Sequence, residues 1–328
     1  MDVYPYQVGG HGLLQWDVRE PNRLFKPVIQ KELAFYLSLH SSITPDQIIP
    51  LRQFLPKFYG VFQKSIRALS ESTVASTMTQ IELTQEAPGN ANGDPSENVA
   101  EWVEQYSKMR YSSSLSLHPT LKSNSEEGVE SSPLFIGLFD VNASWSCPCA
   151  LDVKVGTRHY DDDATEQKRA RHISKACAST TAQFGIRLCG MQTFNAELGT
   201  TDRIGKLAQR KLDTEGLPVH LRHFFWNGIE LRTDVIREIL PMLKELRNVL
   251  EAQTLLSFYS SSVLIAYEGS IERTKVLKEN GQRIASIWMI DFAHTQPRRH
   301  AEDNDDGVAF GLLTLISLLE GLLQASED

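Results

Sequence analysis

The chain has 328 residues, with 41 Asp and Glu against 33 Lys and Arg and a formal net charge of −8. That length allows two lobes with sizeable cores, and a composition 41% hydrophobic and 23% charged is that of an ordinary globular protein. The acidic balance argues against a general nucleic-acid binder, no run reaches the roughly 18–20 apolar residues that span a bilayer, and the start "MDVYPYQVGGHGLLQW" lacks the features of a secretory signal.

Residues 1–66 read as short strands and a helix. "YQVGGHGLLQW" places a glycine pair, Gly9-Gly10, between extended stretches, a hairpin signal. "RLFKPVI" is a second strand that ends, or lies at an edge, at Pro27. "QKELAFYLSL" has helical apolar spacing, and "LRQFLPKFYGVF" is a turn leading into another strand. Residues 67–131 change character: "SESTVASTMTQIELTQEAPGNANGDPSEN" and "SSSLSLHPTLKSNSEEGVESS" hold few large apolar side chains. Such a stretch buries too little surface to offset its ordering entropy, so a long, mostly disordered insertion is expected, with a short helix at "NVAEWVEQYSKM". "PLFIGLFDV" is a continuous apolar run typical of a buried strand, and residues 132–142 rejoin the first lobe.

The larger lobe spans residues 143–328. In "TDVIREILPMLKELRNVLEA" the apolar residues Val235, Ile239, Leu243, Leu246 and Leu250 recur at helical spacing, and Pro241 bends the helix. "SVLIAYEG" and "IASIWMIDFA" are strands separated by a polar loop, "SIERTKVLKENGQR". "GVAFGLLTLISLLEGLLQA" is a buried C-terminal helix. Cys147, Cys149, Cys177 and Cys189 have neither zinc-ligand spacing nor a disulfide framework. They read as reduced thiols of an intracellular protein, cytoplasmic or nuclear.

Two stretches carry chemistry. "DDDATEQKRARHISK" opens with Asp163 and Glu166 in capping-box spacing. At about 100° per residue, Lys168, Arg171, His172 and Lys175 fall at roughly 0°, 300°, 40° and 340°, on one helix face. Like charges so placed repel, and no acid after Glu166 compensates them, so a ligand anion is the natural partner. Standing alone, the same face could be merely solvated. The second stretch, "PCALDVKVG", sets Asp152 and Lys154 two residues apart on an apolar strand, so both point the same way. By itself that pair could equally be a structural salt bridge.

The spacing P-x-x-x-D-x-K-x-G shortly before a basic helix is similar to the signature of the inositol phosphate kinase family. "GTRHYDDDATEQKRARHISKACASTTAQFGIRLCGMQTF" resembles its inositol hexakisphosphate kinase branch. "YQVGGHGLL", Lys26-Pro27, "ELAFY", "FLPKFYGV", "RKLDTEG", "FFWNG", "FYSSSVLIAYEG", "MIDFAHT" and "DDGVAFGL" look like family landmarks in the expected order. The resemblance implies an α+β, two-lobed, protein-kinase-like fold, with a small β-rich lobe, a hinge and a larger lobe, and ATP in the cleft. Lys26 would reach the ATP phosphates with Glu32 orienting it. In the hinge "GLFDV", backbone groups of Phe139 and Val141 would meet adenine; Phe139 stands where relatives carry an acid. Asp152 resembles the carboxylate that holds the ribose hydroxyls. Lys154 resembles the lysine between nucleotide and inositol phosphate, where a fixed cation offsets charge on the transferring group.

By the same resemblance Asp291 would bind Mg²⁺, in a loop with Ala293 in place of glycine, and Ser261 or Ser262 would assist at the metal or triphosphate. Val263 replaces a family leucine there. Lys154 and Asp291 would be the catalytic pair. Lys168, Arg171, His172, Lys175, Lys154 and His294 would hold the inositol phosphate, with Arg158, Arg210 and Lys211 as further candidates; Gln209 stands where relatives have glycine. His11 would sit in the hairpin that covers ATP. The implied activity is ATP- and Mg²⁺-dependent conversion of inositol hexakisphosphate to a diphosphoinositol pentakisphosphate. The alternatives are a multikinase acting on hydroxyls of lower inositol phosphates, or a silent inositol phosphate sensor binding protein partners through 67–131. Neither an H-R-D loop nor a G-x-G-x-x-G loop is present, which suits catalysis by positioning and electrostatics.

Overall fold

The structure is a computed structural model that describes residues 1–8, 13–70, 73–81, 95–111, 133–209, 211–299 and 307–327. The chain divides into two compact units. The first comprises Met1–Pro5, His11–Pro45 and Pro56–Asp140; the second comprises Tyr6–Gly10, Asp46–Leu55 and Val141–Asp328.

In the first unit, β1 (Asp2–Val3), β2 (Gln15–Trp16), β3 (Arg23–Pro27), β4 (Phe58–Ser70), β5 (Thr73–Ile81) and β6 (Leu134–Phe139) form one sheet. Its order is β1-β2-β3-β6-β4-β5, and every pairing is antiparallel. β1 pairs antiparallel with β2, with Asp2 opposite Trp16; residues 9–12 of "YQVGGHGLLQW", on which the hairpin signal and His11 fall, lie outside the described residues. Pro27 ends β3 where its missing N–H costs no ladder bond. Phe25, Phe62 and Phe135 pack together from three neighbouring strands, with Phe25 edge-on to Phe62 at 5.1 Å.

Helix α1 (Gln30–Leu39) follows β3 directly and is buried along nearly its whole length. What covers it comes from the stretch expected to be disordered. Helix α2 (Pro95–Tyr111) is longer than the short helix anticipated. It sets the fully buried Trp102 and Tyr106 against α1, and Trp102 Nε1 donates to the Ser38 carbonyl at 2.9 Å. Residue 67 is likewise no boundary, because β4 runs to Ser70 and pairs with β5. β5 is the sheet's edge strand, where a Thr- and Ser-rich sequence is tolerated, and its Met78 packs against the Phe25, Phe62 and Phe135 cluster of that sheet. Of the expected 67–131 insertion, residues 82–94 and 112–131 lie outside the described residues.

The second unit is built on β7 (Pro148–Val155), which is buried at every residue. Helices α3 (Glu166–Cys177) and α4 (Thr181–Phe184) lead into β8 (Ile186–Asn195) and β9 (Thr200–Ile204). Then come α5 (Lys206–Gln209), α6 (Gly216–Phe224), α7 (Thr233–Ala252), β10 (Leu256–Phe258), β11 (Ser262–Glu268), α8 (Ile271–Glu279), β12 (Ala285–Ile290), β13 (Thr295–Pro297) and α9 (Val308–Glu327). The main sheet is antiparallel in the order β12-β11-β7-β8-β9, and β10 pairs with β13. α7 continues through Pro241 and packs on α9. The segment 46–55, expected in the first lobe, belongs here: its 3₁₀ turn Ile49–Phe54 packs on α7, and Gln53 donates to Glu245 at 3.1 Å.

Three expectations are corrected. The polar loop between the strands is largely helix α8, capped by Ser270, whose hydroxyl accepts from the Arg273 N–H. Asp163 does not cap α3; Thr165 does, accepting from the Lys168 N–H. And among the described residues one helix, α9, is by length and composition apolar enough to cross a bilayer. Its Leu312, Leu315 and Leu319 are buried in the second unit, while Phe310 and Leu313 are exposed, so the expected buried helix is buried along one face only.

Candidate functional site

In the first unit Lys26, on β3, donates to Glu32 Oε1 at 2.8 Å. Strand and helix are joined by only two residues, so the strand register and the first turn of α1 bring the two charges together. Both are buried, Glu32 at 1% exposure, so this is an interior ion pair and not the weak surface pair it would otherwise resemble. At the end of β6 the Phe139 N–H donates to the Lys57 carbonyl at 2.9 Å. An adenine contact at Phe139 therefore cannot use that N–H. Asp140 accepts from Tyr4 Oη at 2.5 Å, and Val141 begins the long segment of the second unit.

The second unit gathers the acidic candidates at one end of its sheet. Ser262, the first residue of β11, is opposite Lys154 on β7 and Ile290 on β12. Asp291 follows Ile290 directly and has a left-handed backbone, φ 65°. Asp152 is 1% exposed. Burial pushes its carboxyl up to about 6, and the Asp291 charge adds to the rise, against the opposing pull of Lys154, Ser262 and Lys206. No ion pair joins Asp152 to Lys154. Instead Lys154 Nζ donates to the Ser260 carbonyl at 2.5 Å and to its hydroxyl at 3.0 Å. The structural salt bridge that the D-x-K spacing left open is not what the strand builds.

Asp291 and Ser262 are oxygen donors of the kind a divalent cation takes, and Asp152, the carboxylate that the resemblance assigns to the ribose hydroxyls, lies close to both. Asp152 Oδ1, Ser261 Oγ and Ser262 Oγ are buried without a hydrogen-bond partner among the described residues, although Ser262 is near enough to favour ionised Asp152. Buried polar atoms are normally satisfied, and these three could accept a ligand contact, as could others elsewhere among the described residues. No cluster of three or more His, Cys, Asp or Glu suited to a metal occurs among the described residues. Mg²⁺ needs none, because it is commonly held by one or two carboxylates and completed by phosphate oxygens and water. Across the sheet, Gly190 pairs with Asp152, and a Cβ there would stand 1.7 Å from the Val8 carbonyl oxygen. Only glycine lets the "QV" segment lie so close beside Asp152.

No residue of the basic helix α3 is fully buried, but His172 is half-buried. That partial burial lowers His172 to about 4, and Lys168, Lys175, Arg171 and His294 push it the same way. His294 is three residues past Asp291 and makes a 3.0 Å contact through Nδ1 with the buried Asp161. The cationic face of α3 and the loop after Asp291 are thus neighbours. His159 was not foreseen as a site residue. It is held well below the usual imidazole range by burial, then by Lys154 and Arg187, against a hydrogen bond to the Gly156 backbone. A cavity of about 420 Å³ opens between α3 and the 157–160 segment, lined by His159, Tyr160 and His172 among others.

Arg158 is not offered to a ligand. It pairs with Asp162, donates to the Tyr160 carbonyl and lies over the Tyr259 ring at 4.3 Å. Lys211 is exposed, and Arg210 lies outside the described residues. Lys206, Arg187, His159 and Ser260 were missed by sequence reasoning. Only Ser260 left a signal, as the first of three consecutive serines before a strand.

The family described as inositol polyphosphate kinase matches residues 135–320, more than half of the chain. The chain belongs to the inositol polyphosphate kinase family. Asp152, Lys154, α3, Ser262, Asp291 and His294 all fall within the match; Lys26 and Glu32 precede it. Inositol hexakisphosphate kinase 2 of Homo sapiens is 36% identical over 225 residues, covering 59% of this chain and 53% of that protein. Inositol hexakisphosphate kinase 3 of Mus musculus is 38% identical over 200 residues, covering 57% and 50%. The chain spans about half the length of the curated relatives it matches. A solved inositol phosphate multikinase from S. cerevisiae, in complex with ADP and Mn²⁺, superposes with a TM-score of 0.61 over 92% of this chain and 99% of that one. At 21% identity that likeness is one of fold, and the fold is the α+β one of inositol polyphosphate kinases.

Proposed function

We propose that the protein is an ATP- and Mg²⁺-dependent inositol hexakisphosphate kinase, transferring the γ-phosphoryl group to a phosphate of inositol hexakisphosphate. The observation that carries this reading is the juxtaposition in the second unit: the α3 cations act on His172 together with His294, and His294 lies three residues past the acid at the end of β12. A polyanion held by Lys168, Arg171, His172, Lys175 and His294 would present a phosphate oxygen toward Asp291 and Lys154. The 33–38% identity to hexakisphosphate kinases supports the same substrate class.

In the proposed reaction an oxygen of the acceptor phosphate forms a bond to the γ-phosphorus while the bond to the β–γ bridging oxygen breaks, releasing ADP. Asp291, with Asp152 and Ser262 nearby, would hold Mg²⁺, which when bound neutralises charge on the ATP phosphates. Lys154 would stabilise charge on the transferring group from a fixed position. Lys26, oriented by Glu32, would bind ATP phosphates. An acceptor phosphate is already anionic, so no general base is required.

The test is incubation with Mg·ATP and a panel of inositol phosphates, with products identified by phosphorus NMR. A diphosphate signal from inositol hexakisphosphate is expected. Equal or better turnover of inositol trisphosphate, both near saturation, would assign the chain to hydroxyl phosphorylation of lower inositol phosphates. Binding of Mg·ATP without transfer to any acceptor would make it a sensor.

A further inference from the structure

We propose that Ser260 is the positioning residue for Lys154, a step that rests on the kinase reading above and names what would fix its central cation. Lys154 is 6% exposed, and its ammonium carries three N–H donors. Two go to Ser260, one to the carbonyl and one to the hydroxyl. That leaves a single donor for an incoming phosphate oxygen and fixes the direction in which it points.

Both acceptors depend on one backbone state. Ser260 has φ 63°, and among the described non-glycine residues it shares a positive φ only with Asp291. This left-handed conformation is one that L side chains disfavour. Residues held there cluster at functional sites, and these two adjoin the same end of the β11–β12 pair. The Ser260 peptide is also anchored on both sides. The next residue, Ser261, accepts from the Val155 N–H of β7 at 3.1 Å. The preceding residue, Tyr259, is buried with the Arg158 guanidinium over its ring. Lys154 is therefore tethered by a residue whose own position is fixed relative to β7.

Two substitutions separate the tether from the turn. Ser260→Gly keeps the left-handed backbone and the carbonyl acceptor but deletes the hydroxyl. Ser260→Val, β-branched, disfavours the turn and so removes both acceptors. The expected outcome is a kcat about 10-fold lower for Ser260→Gly and lower by a further order of magnitude for Ser260→Val, with the KM for ATP within about two-fold. Acylation of Lys154 by an N-hydroxysuccinimide ester, followed by mass spectrometry, should accelerate in the same order while other lysines are unchanged. A residue that merely shapes the turn gives the opposite result. Ser260→Gly would then relieve the backbone and leave both kcat and Lys154 labelling at wild-type values, which would overturn the proposal. If Ser260→Val fails to fold, Ser260→Gly still decides. If the wild-type protein phosphorylates no inositol phosphate, the kinase reading falls, while the labelling comparison still tests the tether.

Discussion

Asp152→Asn should make the ligand-free protein more stable and at the same time unable to respond to nucleotide. Asp152 is buried beside Asp291, and its carboxyl is pushed from 3.8 to about 6. A rise of roughly two units corresponds to about 3 kcal/mol of penalty for holding the ionised form in the folded state. The sign follows from proton binding. Between pH 4 and 6 the folded state holds a proton that the unfolded state has lost, so wild-type stability falls as pH rises through that window and is level above it. The amide introduced by Asp152→Asn stays neutral throughout. Its N–H, placed near a group that now lacks a partner, takes back about 1 kcal/mol.

The variant and wild type should therefore be close in stability near pH 4 and diverge up to pH 6. At pH 7 the variant should lead by roughly 2 kcal/mol, a few degrees in melting temperature for a unit of this size. Thermal unfolding at pH 4, 5, 6 and 7 measures this directly. Adding Mg·ATP at pH 7 should reverse the order, because a ligand that binds only the folded wild type raises its stability. A variant less stable than wild type at pH 7, by a margin independent of pH, would refute the claim that burial and the Asp291 charge strain this carboxylate.

Asp291→Asn should abolish turnover, at least 100-fold in kcat, without lowering the melting temperature. Asparagine tolerates the left-handed backbone but supplies no charge for Mg²⁺; full activity would refute the metal assignment. Lys168→Ala combined with Lys175→Ala should raise the KM for inositol hexakisphosphate at least 10-fold while the KM for ATP stays within about two-fold; equal effects on both would mean that α3 does not hold substrate. The same double change should raise the His172 pKa above its value of about 4, read by proton NMR titration without any reaction. Trp102→Ala should destabilise the first unit by about 3–5 kcal/mol, because it empties a fully buried site on α1 and leaves the Ser38 carbonyl without that indole donor. A change under 1 kcal/mol in denaturant unfolding would show that α2 is dispensable to that core.

How far the sequence could be read depended on where each element sits. α1, α7, β7 and β11 were legible because their apolar spacing mirrors burial on a face or on all sides. α8 was not, since only Thr274 and Leu277 of its nine residues are buried, too few to impose a period. β5 was hidden because an edge strand tolerates a Thr- and Ser-rich sequence. α2 was underestimated because Trp102 and Tyr106 sit in a stretch whose average composition resembles a linker. At the site, the Asp152-x-Lys154 spacing and the cationic stripe of α3 were visible because both are local. The Lys154–Ser260 tether spans 106 positions, and the left-handed turns at Ser260 and Asp291 carry no glycine to announce them.

The part that was legible shares a physical cause with the part that functions. Around the candidate site several like charges stand near one another: Asp152 near Asp291, Lys154 and Arg187 near His159, and Lys168, Lys175 and Arg171 near His172, although Asp161 and Asp162 pair with His294, Arg158 and Arg299 close by. Burial first, and like charge after it, raise a buried acid on one side and lower two imidazoles on the other. A fold selected only for stability would intermix the signs, as the Lys26–Glu32 and Arg232–Asp234 pairs do elsewhere in this chain. On the proposed function, a divalent cation at the acids and a polyphosphate at the bases would relieve the opposition, with Lys154 on β7 next to both. If the same carboxylate that burial and the Asp291 charge strain also meets the nucleotide, Asp152→Asn, which removes the strain, should remove the response to nucleotide with it.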